Sequence, residues 1–141
     1  MSGELSKAVL DASVLVQTLV REKYTDVALK LVATLKTIYV PSLVPYEIGN
    51  TLVILAHKNF ITKKDAVRKF KSICSIPTLN IQEIDLNRAI DMAIELEITL
   101  HDASYLALAL EANSPLVTAD RELYEKGKTI AKVIHASEVT L

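Results

Sequence analysis

Four carboxylates stand in apolar company at widely separated points of the chain: Asp11 in "VLDASVLV", Glu47 in "VPYEIGNTL", Asp102 in "LHDASYLALAL" and Asp120 in "LVTADREL". A carboxylate loses its water on burial, so each needs a partner or it raises the energy of the fold. No Lys or Arg lies between Val9 and Val20, so Asp11 has no local ion pair. Gathered together, such acids repel and raise one another's pKa unless a cation joins them. An all-oxygen set without sulfur or imidazole suits Mg²⁺ or Mn²⁺. Two such ions, roughly 4 Å apart, can activate a water and stabilise a leaving oxygen in phosphodiester cleavage.

Each acid also has a purely structural reading. Asp11 or Ser13 can cap the helix that follows, and Asp120 is a good N-cap for "RELYEK". Thr99-x-x-Asp102 fits a capping box. Glu47 can turn outward at the edge of its helix. It is the set of four that points to chemistry.

The elements that must position these acids are legible as short β-branched runs alternating with helical patterns. The runs are "KAVL", "TIYV" ending at Pro41, "TLNIQEI", "PLVT" and "KVIHA". Helical spacing covers 24–36, then 42–60 with Ser42 as N-cap and Pro45 in the first turn, then 62–74, 86–96, 102–112 and a short helix after Asp120. This alternation predicts an α/β fold in three layers, a mainly parallel sheet of about five strands flanked by helices. Ligands of such sheets bind beyond the carboxyl ends of the strands. Asp11 follows one strand directly and Asp120 follows another by one residue, so both are expected at the same edge. On helix 42–60, Glu47 and Asn50 share a stripe bordering the packed face, and Asp102 marks the wet end of an otherwise apolar helix.

The 141 residues read as one domain, with 1–6 as a flexible tail. Half the residues are hydrophobic and 23% are charged, a globular composition. No signal peptide is visible, "TLVILA" is far too short to span a membrane, and the single cysteine fits a reducing, cytoplasmic setting. Core packing is the expected role of Cys74. With a net charge of −1 the chain does not advertise a polyanion partner in bulk. Its charge is uneven, however. Lys64, Arg68 and Lys71 fall on one helical stripe, which reads either as a guide for an RNA backbone or as a solvated face. His57, His101 and His135 lack metal-ligand spacing; Tyr46 and Tyr105, beside the acids, are expected to pack.

In that order, "VLDASVLV", "VPYEIGNTL", "LHDASYLALAL" and "LVTADREL" resemble the four signature blocks of the PIN domain, particularly its VapC-type toxin ribonucleases, across 7–135. The resemblance implies that Asp11, Glu47, Asp102 and Asp120 form an acidic pocket for Mg²⁺, or Mn²⁺, with Asp11 and Asp102 as direct ligands. It assigns supporting places to Ser13, Thr118 and Asn50. Many relatives carry a further acid just after the last; the nearest here, Glu122, departs in spacing and reads as a solvent-facing helix residue. The implied activity is metal-assisted hydrolysis of RNA, with water attacking phosphorus in line and a 5′-phosphate product. The implied partners are RNA, a VapB-like antitoxin and a second copy of the chain, the apolar helical surface around Leu31 and Leu35 being one place for a partner.

Other classes fit less well. A phospho-acceptor receiver domain wants adjacent acids early and a lysine after the last core strand; here Asp11 stands alone and "VIHASEV" has no lysine. A haloacid-dehalogenase-type phosphatase wants D-x-D, and "DAS" lacks its second Asp. A PIN-fold binding module without turnover is the remaining alternative.

Overall fold

The computed structural model describes residues 5–141, so most of the expected tail, residues 1–4, lies outside the described residues. Leu5 packs against the core, and the Ser6 carbonyl accepts a hydrogen bond from the Lys36 amide at 2.8 Å.

The chain runs β1 (Lys7–Leu10), α1 (Ala12–Leu15), α2 (Thr25–Thr34), β2 (Thr37–Pro41), α3 (Val44–His57), α4 (Lys63–Cys74), β3 (Leu79–Gln82), α5 (Leu86–Leu96), α6 (Leu100–Glu111), β4 (Leu116–Thr118), α7 (Arg121–Gly127) and β5 (Val133–His135). Short 3-10 turns follow α1 and β5. The five strands form one sheet in the order β3-β2-β1-β4-β5, and every pairing is parallel. Helices must therefore cross over the sheet between strands, as the alternating pattern requires. The strands are apolar because they are covered on both faces. Ala8, Val9, Leu10, Ile38, Val40, Leu116 and Val117 are all fully buried. α6 lies against β1, β2 and β4 and buries seven consecutive residues, Ala103 to Ala109.

The strand order has a functional consequence. From β1 the chain builds outward through β2 and β3, then returns to place β4 on the other side of β1. The sheet reverses direction of growth between β1 and β4, and a crevice opens there at the carboxyl ends. In register, Leu10 pairs with Val117, so Asp11 emerges beside Thr118 and Asp120.

Helix boundaries show where local signals were overruled. Ser42 does not cap α3: its amide is used to extend the β2–β3 pairing, donating to the Gln82 carbonyl at 2.9 Å, and Leu43 becomes the N-cap without a side-chain bond. α2 stops at Thr34 because Leu35 is extended and leads into β2. α6 starts at Leu100, two residues before Asp102, because Thr99 caps it by accepting from the Asp102 amide at 3.1 Å. α4 has the full reciprocal box between Thr62 and Asp65. Cys74 is exposed at the end of α4 rather than packed in the core. Leu31 and Leu35 are buried inside the core, so they offer no surface to a partner. Among the described residues, no helix is long and apolar enough to cross a membrane.

Candidate active site

The geometry begins with Asp11, only 3% exposed at the carboxyl end of β1. One carboxylate oxygen, Oδ1, accepts from the Ser13 hydroxyl at 2.5 Å and from the Val14 amide at 3.2 Å, which makes Asp11 the N-cap of α1. The other, Oδ2, accepts from the buried Thr118 hydroxyl at 2.5 Å. Both hydroxyls reach onward. Thr118 Oγ1 accepts from the Asp120 amide at 3.0 Å, and Ser13 Oγ accepts from the Ala119 amide at 3.0 Å. Ser13 and Thr118 therefore join the ends of β1 and β4, residues 106 and 107 positions apart bonding through two side chains.

Glu47 sits half-buried in the first turn of α3 and is held from α6. The Tyr105 hydroxyl donates to Glu47 Oε1 at 2.6 Å and accepts from the Ala12 amide at 3.1 Å. One side chain thus ties α6, α3 and the start of α1 together. Burial, followed by the Glu47 charge, pushes the Tyr105 phenol well above its ordinary value, so it stays a donor throughout the accessible pH range. Asp102 lies one turn before Tyr105 on the same face of α6 and is half-buried. Asp120 is exposed and caps α7, its Oδ1 accepting from the Leu123 amide at 3.1 Å. Asp11 and Asp120 both cap the helices that follow them, as their structural readings expect, whereas only one half of the Thr99–Asp102 capping box is present, the Thr99 hydroxyl accepting from the Asp102 amide.

Some of the acids act on one another through their charges. The Asp11 pKa is raised from 3.8 to about 6, chiefly by burial and in small part by the Asp120 charge, against the lowering effect of its hydrogen bonds. Asp102 is raised first by burial, then by the charges of Asp120 and Glu47, with a smaller push from Glu122. Among the described residues, none of the ion pairs reaches any of the four acids. Glu122 is exposed on α7 and paired with Lys126 at 2.9 Å. Among the described residues, the charge of these four acids is thus not offset by an ion pair.

The donor set fits a hard divalent ion in chemistry: carboxylate and hydroxyl oxygens, with no sulfur or imidazole. The side chains as placed do not close on such an ion. Among the described residues, no three of the His, Cys, Asp and Glu side chains stand near enough together to hold a metal. Both Asp11 oxygens are instead turned to hydroxyls and an amide.

The model of the PIN domain family matches residues 8–129. The chain belongs to the PIN domain family. The chain is 27% identical over 124 residues to Ribonuclease VapC3 of Pyrobaculum aerophilum, covering 85% of this chain and 94% of that protein. The solved structure of PAE2754 from the same organism superposes with a TM-score of 0.72 at 27% identity, covering 93% of this chain and 91% of that one. A toxin–antitoxin complex from Klebsiella pneumoniae has a chain with the same fold, with a TM-score of 0.66 at 19% identity over 94% of this chain and 99% of its own.

Within this PIN domain, Asp11, Ser13 and Thr118 form one bonded network, Glu47 joins it through Tyr105 and Ala12, Asp120 joins it through its amide on Thr118, and Asp102 feels the charges of Asp120 and Glu47. Asn50 stands apart, exposed and lining a groove between α3 and α4. Tyr105 packs, as its apolar helix implies, but also orients an acid; its place one turn after Asp102 was the available signal. Tyr46 does not pack: it is 82% exposed. His101 is exposed in the first turn of α6.

Proposed function

We propose that this chain is a divalent-metal-dependent ribonuclease hydrolysing phosphodiester bonds of single-stranded or structured RNA, acting in the cytoplasm as the toxin of a VapBC-type pair. The observation that carries this reading is Asp11. It is a buried carboxylate at the β1–β4 crevice, its pKa raised by burial and by the Asp120 charge, and among the described residues no Lys or Arg is ion-paired with it or with Glu47, Asp102 or Asp120. A fold keeps such an arrangement at a cost, and a divalent cation is what offsets it. Asp11, Glu47, Asp102 and Asp120 would hold Mg²⁺, or Mn²⁺, and when bound it supplies activation of a water and stabilisation of charge on the departing oxygen.

The protein's own groups then have distinct tasks. Ser13 and Thr118 orient the Asp11 carboxylate, Tyr105 holds Glu47 towards the crevice, and the Asp120 amide is fixed through Thr118. Asp102, partly solvated, reaches the crevice from α6. No protein nucleophile is required, since water attacks.

The relatives support the partners of this reading. One is named as a VapC ribonuclease and another is solved in a toxin–antitoxin complex; a VapB-like antitoxin is the corresponding partner here. For a homodimer, the support is an exposed apolar stripe on α5, Leu86, Ile90 and Ile94, at i, i+4 and i+8. A catalytically silent binding module is the second reading, favoured by the engagement of both Asp11 oxygens within the protein.

The test is cleavage of single-stranded RNA with Mn²⁺, by the native chain and by Asp11→Asn and Asp102→Asn. Cleavage is expected from the native chain alone, losing roughly a hundredfold or more in each variant, and stopping in excess EDTA. Cleavage that survives EDTA, or both substitutions, overturns the proposal.

A further inference from the structure

The α3–α4 hairpin carries a groove of about 770 Å³. Tyr46, the residue immediately before Glu47 in α3, lines it. Successive helix positions point about 100° apart, which turns Tyr46 off the acid face and into this groove with Val53, Phe70 and Lys71. Tyr46 lies almost wholly in solvent, and Val53 and Val67 are about half exposed. Lys71 also belongs to a second hollow that continues along α4 between Lys63, Lys64 and Arg68. Arg68 is paired with Asp65 at 2.6 Å. Among the described residues, no carboxylate lies within ion-pair distance of Lys63, Lys64 or Lys71.

An exposed aromatic and apolar lining beside a line of unpaired cations is the combination that binds a single strand: bases stack on the first, phosphates follow the second. In a chain of net charge −1, uncompensated positive charge on one edge marks an anionic partner. Self-association about a two-fold axis on this face would set the two lysine rows against each other. We propose that the α3–α4 groove and the basic edge of α4 bind single-stranded RNA, a base stacking on Tyr46 and phosphates lying along Lys63, Lys64 and Lys71, and lead the strand to the acids. This assignment rests on the ribonuclease reading.

The experiment is fluorescence anisotropy of a labelled oligouridylate with the full chain in excess EDTA, where binding is read without cleavage. Tyr46→Ala is expected to weaken binding about tenfold, the loss of one stacked base, with the salt dependence unchanged. Tyr46→Phe should bind as the native chain does. Lys64→Ala combined with Lys71→Ala should flatten the slope of log affinity against log salt by about 1.4, or ~0.7 for each phosphate contact. All these side chains are exposed, and unchanged urea midpoints will show that the fold is kept. Affinity and slope equal to the native chain's overturn the proposal. So does a change in sedimentation with no change in oligonucleotide binding, which would make the groove a protein contact. Intact Mn²⁺-dependent cleavage with unaltered binding in the variants sinks this inference and leaves the ribonuclease reading standing. Absent cleavage with the expected binding losses does the reverse.

Discussion

Replacing Asp11 with Asn tests the electrostatics of the site through folding alone. The folded-state pKa is raised from 3.8 to about 6, so the native state holds the Asp11 proton more tightly than the unfolded chain does. The destabilisation is therefore absent below the unfolded value, grows as pH rises between the two values, and is complete above about 6. At 1.36 kcal/mol per pH unit, the native protein loses ~3 kcal/mol over that window. Asn carries no charge and escapes this loss. Its amide nitrogen must, however, replace Oδ2 opposite Thr118, leaving that buried hydroxyl without its acceptor, which costs about 1–3 kcal/mol. The second effect does not depend on pH and cancels when two pH values are compared.

The expected result, from urea unfolding in EDTA, is a stability difference that moves by ~3 kcal/mol in favour of Asp11→Asn on going from acid to neutral pH. With slopes of about 1–3 kcal/mol per molar urea, the relative midpoints shift by roughly 1 M or more. Saturating Mn²⁺ at neutral pH should then stabilise the native chain by about 3 kcal/mol at a hundred times its dissociation constant, and the variant by less. A difference that stays constant with pH would refute the claim that Asp11 is a strained, cation-seeking carboxylate.

Two further outcomes follow from single contacts. Tyr105→Phe removes the donor to Glu47 and the acceptor of the Ala12 amide, so unfolding free energy should fall by about 1–3 kcal/mol; RNA cleavage should fall with it even at temperatures where circular dichroism shows a native fold. Gly127→Ala would place a Cβ 2.7 Å from Leu106 Cδ2 and 3.3 Å from Val133 Cγ2, beneath the junction of α7 and β5. Overpacking of that kind should lower stability by about 1–3 kcal/mol in a thermal melt, without moving the metal dependence of cleavage.

Much of the fold was legible because periodicity survives without tertiary context. β-branched runs alternating with 3.6-residue patterns allow few arrangements other than parallel strands with helical crossovers, and five such strands are present. Asp11 and Asp120 were legible as edge acids because each follows a strand closely. Boundaries were less so. Ser42 looks like a cap by type, but a sheet partner 40 residues away claims its amide. Cys74 and Tyr46 have apolar character that says nothing about whether a neighbour covers them, and none does. Leu31 and Leu35 show the converse, a stripe that the core takes up completely.

By itself, then, the sequence determined the class of fold and the order of its elements and singled out four acids as candidates, since these depend on residue type and short-range spacing. Only the tertiary structure decided that β4 lies beside β1, that Thr118 and Ser13 hold Asp11, and that Tyr105 bridges to Glu47 across 58 positions of chain. The reason is physical. A carboxylate's charge state depends on water excluded and dipoles supplied within a few ångströms, and those neighbours arrive from distant segments only when the sheet assembles.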